Sequence, residues 1–306
     1  MVAVTRPPSA SVNRRMVSLL SELAVGEGFS PSRLSGVKFM RSSRHVPAGP
    51  IAYNPSIVII AQGRKIGSIG GKTFVYDPNN YLVLAVPLPF ECETRGAPDA
   101  PLLGLSVGVA PAVVAELLVQ IEGLPSDSDA RPQAIEAAAL DPALSDAAVR
   151  LLETLRSSDD ARILGPQIVR EIIYRVLLGP LGANLRALAA PHSHFGQISR
   201  VLNRIHTDFA RTFDMETLAR EAGMSVSTFH THFKSVTSSS PLQYLKTIRL
   251  HKARLLMVHD GASAAHAASQ VGYESASQFS REFKRLFGDA PAAVAHQLRA
   301  SLTRLA

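Results

Sequence analysis

Hydrophobic and polar positions follow two different rhythms along this chain. From about residue 34 to 110 the apolar residues come in short runs separated by Gly, Pro and Asn. Ser56-Ile57-Val58-Ile59-Ile60-Ala61 is a β-branched run that predicts a buried strand. Gly70-Gly71 predicts a hairpin between Lys65–Ile69 and Lys72–Tyr76, and Asp77-Pro78-Asn79-Asn80 a turn. Tyr81–Val86 and Leu102–Val109 read as further strands, so this stretch predicts a small barrel or sandwich. Ahead of it, residues 1–15 read as disordered and Met16–Val25 as a short amphipathic helix.

After Pro111 the period becomes helical. Asp141-Pro142 opens a helix whose apolar stripe is Leu144, Ala148, Leu151, Leu152 and Leu155. Pro166 opens another, with Ile168, Ile172, Val176 and Leu177 on one face and Gly179-Pro180 at its end. The pair predicts a helical hairpin over 139–181, either packed on the barrel or presenting a dimer interface. Residues 182–194 show no period and read as a linker. The expected organisation is an N-terminal segment 1–33, a barrel 34–138, the hairpin, the linker, and an all-helical domain 195–306.

That last region repeats itself at an offset of 50 residues. Ser225-x-Ser227-x-Phe229-x-x-x-Phe233-Lys234 recurs as Ser275-x-Ser277-x-Phe279-x-x-x-Phe283-Lys284. Gly223 and Gly272 each close a short helix just before a Ser that can cap the next. Each copy therefore reads as a helix-turn-helix. Phenylalanines four apart share one helix face, so Phe229, Phe233, Phe279 and Phe283 are the predicted core. The opposite faces carry Ser227, His230, Thr231 and Lys234 in the first unit, and Ser277, Gln278, Arg281 and Lys284 in the second. Gln and Arg are the side chains that pair bidentately with adenine and guanine; a phosphate contact, or an ion pair with Glu274 or Glu282, is the alternative for Arg281. Ser225 and Ser275 stand where helix N-termini meet phosphates. Ser240-Pro241 opens a connecting helix to about His259, about 28 Å long at 1.5 Å per residue. Its Lys246, Arg249, Lys252 and Arg254 are candidate phosphate contacts or a solvated face.

Charge sharpens this picture. The net charge is +7, and residues 191–306 hold 14 Lys and Arg against 8 Asp and Glu. The excess lies on the half that carries the repeat, as polyanion binding requires. A single cysteine, Cys92, rules out an intrachain disulfide and fits a reducing compartment. No apolar segment of signal-peptide or membrane-spanning length is evident, so a cytoplasmic protein is expected.

The residues that carry the repeat also carry a resemblance. Gly223-Met224-Ser225-x-Ser227-x-Phe229-His230, Ser240-Pro241-Leu242-Gln243-Tyr244, Arg249-Leu250-x-x-Ala253-Arg254-x-Leu256 and Val271-Gly272-Tyr273-Glu274-Ser275-x-Ser277-Gln278-Phe279-Ser280-Arg281-x-Phe283-Lys284 resemble the DNA-binding region of AraC/XylS transcription regulators. Arg41-Ser42-Ser43-Arg44, Ile59-Ile60-Ala61-Gln62-Gly63-Arg64-Lys65, Tyr76-Asp77-Pro78 and Val86-Pro87-Leu88-Pro89 resemble the sensor domain of one branch of that family. The resemblance implies an α+β chain: a cupin-like β-barrel with a helical hairpin, then an all-α domain of two helix-turn-helix units joined by a long helix. It implies double-stranded DNA and a small-molecule effector as partners, with RNA polymerase and a second copy of the chain as further candidates. Two positions depart from the family pattern. Thr231 stands where an Arg is common, and Ala264 and Ala267 replace larger aliphatics, which predicts looser packing of their helix.

Enzymatic signatures are absent by comparison. Only His45 among the histidines lies in the barrel half, too few ligands for a metal-binding cupin. His192-x-His194 and His230-x-His232 lack a second pair at zinc spacing. Cys92, between Glu91 and Glu93, reads as a plain strand residue, with redox or aldehyde sensing as the alternative. No cofactor or metal is expected, and a cupin-type enzyme with an accessory basic domain is the alternative class. Tyr53, Ile57–Ile60, Phe74, Tyr76, Leu82–Leu84 and Phe90 are candidate linings of a barrel pocket.

Overall fold

The computed structural model describes residues 9–122, 132–190 and 192–303, with side chains to residue 299. It divides into two compact units, one within residues 1–191 and one comprising His192–Ala306 with the short stretches Gly49–Tyr53 and Pro87–Glu91.

The first unit starts with α1 (Ala10–Leu23), capped by the Ser9 hydroxyl, which accepts from the Val12 N–H. Residues 10–15, expected to be disordered, are thus helical, because the cap sits earlier than the hydrophobic period suggests; residues 1–8 lie outside the described residues. Ten strands follow: β1 (Gly28–Pro31), β2 (Val37–Ser42), β3 (Val46–Tyr53), β4 (Ser56–Gln62), β5 (Arg64–Ile69), β6 (Lys72–Tyr76), β7 (Asn80–Leu84), β8 (Leu88–Arg95), β9 (Leu102–Gly108) and, after α2 (Pro111–Gln120), β10 (Ile135–Ala139). They form a six-stranded sheet ordered β1-β2-β9-β4-β7-β10 and a four-stranded sheet ordered β3-β8-β5-β6. β4 is buried on both faces because it has partners on both. Ile57, Ile59 and Ala61 join the core under the helices, and the alternate residues Val58 and Ile60 face the other way. Ile57, Ile59 and Val83 therefore line the helical layer rather than a barrel pocket.

The helical layer is α1 with α3 (Pro142–Thr154), α4 (Ser158–Ile163), α5 (Gly165–Leu178) and α6 (Gly182–Ala189). Leu144, Ala148, Leu151, Leu152 and Leu155 are all within 1% of complete burial, in one cluster with Ile172, Val176 and Leu177. The predicted apolar stripe is thus consumed by the core of its own unit and is not an exposed dimer interface. The predicted linker is also corrected. Residues 182–189 form α6, whose Leu185 and Leu188 pack into the same cluster. Two leucines among alanines supply too weak a period to announce a helix, yet they anchor one. β10 and β1 extend the larger sheet beyond the predicted strands; β10 pairs antiparallel with β7, and β1 with β2.

The second unit is α7 (His194–Thr207), α8 (Met215–Glu221), α9 (Val226–Thr237), α10 (Pro241–His259), α11 (Ala264–Gln270), α12 (Ala276–Phe287) and α13 (Pro291–Thr303). A Ser or Asp side chain caps each of α7 through α12: Ser193, Asp214, Ser225, Ser240, Ser263 and Ser275. The tight turns sit at Gly223 (φ +67°) and Gly272 (φ +84°). At Gly272 a Cβ would lie 2.3 Å from the Ala210 carbonyl oxygen, so only glycine fits. Ala267 and Ala268 of α11 and Val271 just after it are buried against Phe279 and Phe283, with Phe209 and Phe287 packed on the cluster. These aromatic rings fill the volume that the small residues of α11 leave.

Candidate nucleic-acid interface

Two helices carry the predicted reading residues. In α9, Phe229 and Phe233 are fully buried with ring centroids 5.5 Å apart. That fixes the opposite face, where Ser227, His230, Thr231 and Lys234 are all exposed. The Thr231 hydroxyl donates to the Ser227 carbonyl at 3.1 Å, which partly occupies it within the helix. In α12, Phe279 and Phe283 are buried, 5.5 Å apart, and Ser277, Arg281 and Lys284 are exposed. Both helices begin on a serine whose hydroxyl accepts from the backbone N–H three residues on, Thr228 for Ser225 and Gln278 for Ser275. Those hydroxyls serve first as caps, at a helix end where backbone dipoles favour an anion.

Electrostatics sets these faces apart. Several arginines of the first unit are held by carboxylates, as Arg150 and Arg175 are by Glu171, Arg156 by Glu22 and Arg170 by Glu116. Among the described residues no carboxylate lies within 4.0 Å of Lys234, Arg281, Lys284 or Arg285, all exposed. Arg285, which the sequence reading did not single out, joins this set from the last turn of α12.

The long helix α10 corrects several expectations. Arg249 donates three hydrogen bonds to backbone carbonyls: Nε to Phe209 at 2.8 Å, one terminal nitrogen to Gly272 at 2.9 Å and the other to Arg211 at 2.9 Å. Its guanidinium is consumed by the fold, and burial lowers its pKa from the ordinary arginine value. Lys246 Nζ donates to Glu282 Oε1 at 2.7 Å. Lys252 lies over the Phe209 ring, 5.4 Å from its centroid, and Arg254 over Phe287 at 4.5 Å. Burial pushes Arg254 down to about 10. Arg249 and Arg254 are thus taken up by the fold, while Lys246 and Lys252, both partly exposed, also touch neighbouring elements. Gln278 is also engaged, its Nε2 donating to Glu282 Oε1 at 3.2 Å, so it does not point freely outward.

Among the described residues no three His, Cys, Asp or Glu side chains stand close enough to hold a metal ion. No described helix is long and apolar enough to cross a membrane.

Comparison with known proteins agrees with this geometry. Residues 33–184 match the family model of the AraC-type transcriptional regulator N-terminus, and residues 218–297 that of a helix-turn-helix domain. The transcriptional activator RhaS of Escherichia fergusonii is 31% identical over 44% of this chain and 48% of its own length. The transcriptional regulator AlkR of Acinetobacter baylyi is 36% identical over 31% of each chain. The chain thus spans about half the length of the RhaS relative and less of AlkR. ToxT from Vibrio cholerae, solved with an unsaturated fatty acid bound, shares the fold at 14% identity and a TM-score of 0.56, over 86% of this chain and 96% of its own. With a sensor-type N-terminus followed by a helix-turn-helix domain, the chain belongs to the AraC family of transcriptional regulators.

Proposed function

We propose that this protein is a sequence-specific DNA-binding transcription regulator that acts in the cytoplasm and whose N-terminal unit senses a small molecule. The observation that carries the reading is the set of exposed cations without a carboxylate on α9 and α12. An unpaired cation on a helix face suits a phosphate or a base edge. Arg281 and Ser277 read bases in one major-groove segment, and Ser227, His230 and Thr231 in the next. Lys234, Lys284 and Arg285 contact the flanking phosphates, with the N-termini of α9 and α12 beside them. A second copy of the chain and RNA polymerase are further partners. The fatty acid bound to ToxT supports a sensing role for the first unit. The reading assigns no catalytic step to any residue.

The test is a titration of the full chain on DNA upstream of its own and neighbouring genes, at several salt concentrations and against random competitor. The expected result is protection of two adjacent major-groove segments about one turn, roughly 34 Å, apart. Binding that competitor erases entirely would overturn the sequence-specific reading.

A further inference from the structure

The inner face of the smaller sheet holds a cation with no counter-charge. Lys65 on β5 is 7% exposed. Tyr76 on β6 is in register with it, and Lys65 Nζ donates to the Thr94 hydroxyl on β8 at 2.6 Å. Cys92 follows on the same face of β8, with Sγ 3.3 Å from the Tyr76 hydroxyl. All four side chains are buried. Two carboxylates adjacent in sequence are committed elsewhere. Asp77 pairs with Arg64 at 3.5 Å, and Glu93 with Arg95 at 2.7 Å. Among the described residues no carboxylate lies within 4.0 Å of Lys65 Nζ. A buried ammonium is costly without a partner, and burial lowers the Lys65 pKa from the ordinary lysine value, with Cys92 acting the other way.

Beside this cation the Phe74 ring fills the space over Gly67. Gly67 is two positions along β5 on the same face, in register with Phe74. A Cβ at Gly67 would come within 2.0 Å of the Phe74 ring, so that ring occupies the space a β5 side chain would take. Phe74 is only half-buried, on the last strand of its sheet, and stacks on Tyr76 with centroids 6.3 Å apart. Rotation of one side chain would therefore open a flat apolar slot that ends at Lys65.

We propose that the barrel takes a monocarboxylate with a small flat apolar body, its carboxylate on Lys65 Nζ and Thr94 Oγ1 and its body in the slot over Gly67. The inference rests on the sensing role proposed above and narrows the effector to an anion. The ligand supplies the counter-charge that Lys65 lacks.

Calorimetric titration of the full chain with benzoate and with its neutral isostere benzamide tests this. Benzoate should bind, and benzamide should not bind at millimolar concentration. Lys65→Met should weaken benzoate about tenfold or more. Its ligand-free melting temperature should not fall, since a buried apolar chain replaces an unpaired cation. Thr94→Val, nearly isosteric, should weaken benzoate less, and Phe74→Ala should strengthen it by vacating the slot. Equal binding of benzoate and benzamide, unchanged affinity in Lys65→Met, or no benzoate binding would each overturn the proposal. DNA footprinting of the ligand-free chain is scored separately. An intact footprint beside a failed titration removes only this ligand class, whereas a missing footprint removes the regulator reading.

Discussion

Glu282 on α12 accepts a 2.7 Å hydrogen bond from Lys246 Nζ on α10, while its second oxygen accepts from the Tyr273 hydroxyl at 2.7 Å. Gln278, one turn earlier, donates to the same carboxylate. The second recognition helix is therefore fastened to the long helix and to the turn before it by one side chain that is only 12% exposed. Burial pushes the Glu282 carboxyl up, but the bonds from Lys246, Tyr273 and Gln278 outweigh it and hold the pKa below the ordinary value. A depressed carboxylate stabilises the fold above its unfolded pKa of about 4.3 and loses that contribution as pH falls through its folded value. Glu282→Ala should cost about 1–3 kcal/mol at neutral pH. The difference from wild type should shrink below about pH 4, as melts across pH will read. A gap independent of pH would remove the carboxylate from the explanation.

Arg249 gives a different signature. Its three bonds reach the carbonyls of Phe209, Arg211 and Gly272, which join the loop before α8 to the turn before α12. Arg249→Ala should lower the melting temperature of the second unit by an amount worth about 3 kcal/mol. Lysine should restore only part, since one ammonium cannot replace a planar fork. Below the melting transition the salt dependence of DNA binding should match wild type. A shallower salt slope in Arg249→Ala would return this residue to the phosphate contacts.

Arg281 and Lys284 are exposed one turn apart without ion-pair partners, and the proposed interface assigns them different roles. Arg281→Ala should relax the preference for one base pair by about 1–3 kcal/mol. Lys284→Ala should weaken all sequences alike and reduce the slope of log affinity against log salt by about 0.9. Competition titrations on specific and random duplexes separate the two. Equal losses on both DNAs for Arg281→Ala would show that it contacts phosphate.

The sequence was most legible where local chemistry decides structure. The phenylalanine pairs, their serine caps and the turn glycines lie within a few residues of one another, so α9 and α12 and their buried faces could be read directly. The fates of Lys246, Arg249 and Gln278 were not readable in the same way. The partners of Lys246 and Arg249 lie 23 to 40 residues away, and a charged residue on a long helix gives no local sign that its head group is taken. Gln278 has its partner four residues on, at a helical spacing that the sequence does show. Ile135-Glu-Ala-Ala-Ala favours helix by propensity, yet pairing with β7 makes it a strand, a tertiary override of a weak local preference. Lys65 lay in a motif matched to a sensor domain, but only the strand alternation in three dimensions turns it inward.

The second unit should lose stability in acid through two histidines, His251 buried and His206 partly buried. His206 and His251 each have an Nε2 that is buried without a hydrogen-bond partner. Burial lowers His206 to about 4, assisted by the Lys252 cation. Burial lowers His251 to about 3, assisted by Arg254 and His206. Both are therefore neutral in the folded protein and take up protons when it unfolds below about pH 6.5. The unfolded state binds more protons there, so stability is full above about pH 6.5 and declines as pH falls toward the folded values. Each histidine should withdraw about 2 kcal/mol between pH 6.5 and pH 5. His251 packs edge-on against Phe287, with centroids 5.2 Å apart, and its Nδ1 lies 3.4 Å from an Arg254 terminal nitrogen. Relative to its own stability at neutral pH, His251→Leu should remove about half of the acid loss, and His251→Leu with His206→Leu most of it. Denaturant melts of wild type and variants at pH 7.5, 6 and 5 read this directly. A wild-type stability that stays level across that range would mean the two imidazoles gain proton partners on acidification, and the buried neutral assignment would fall.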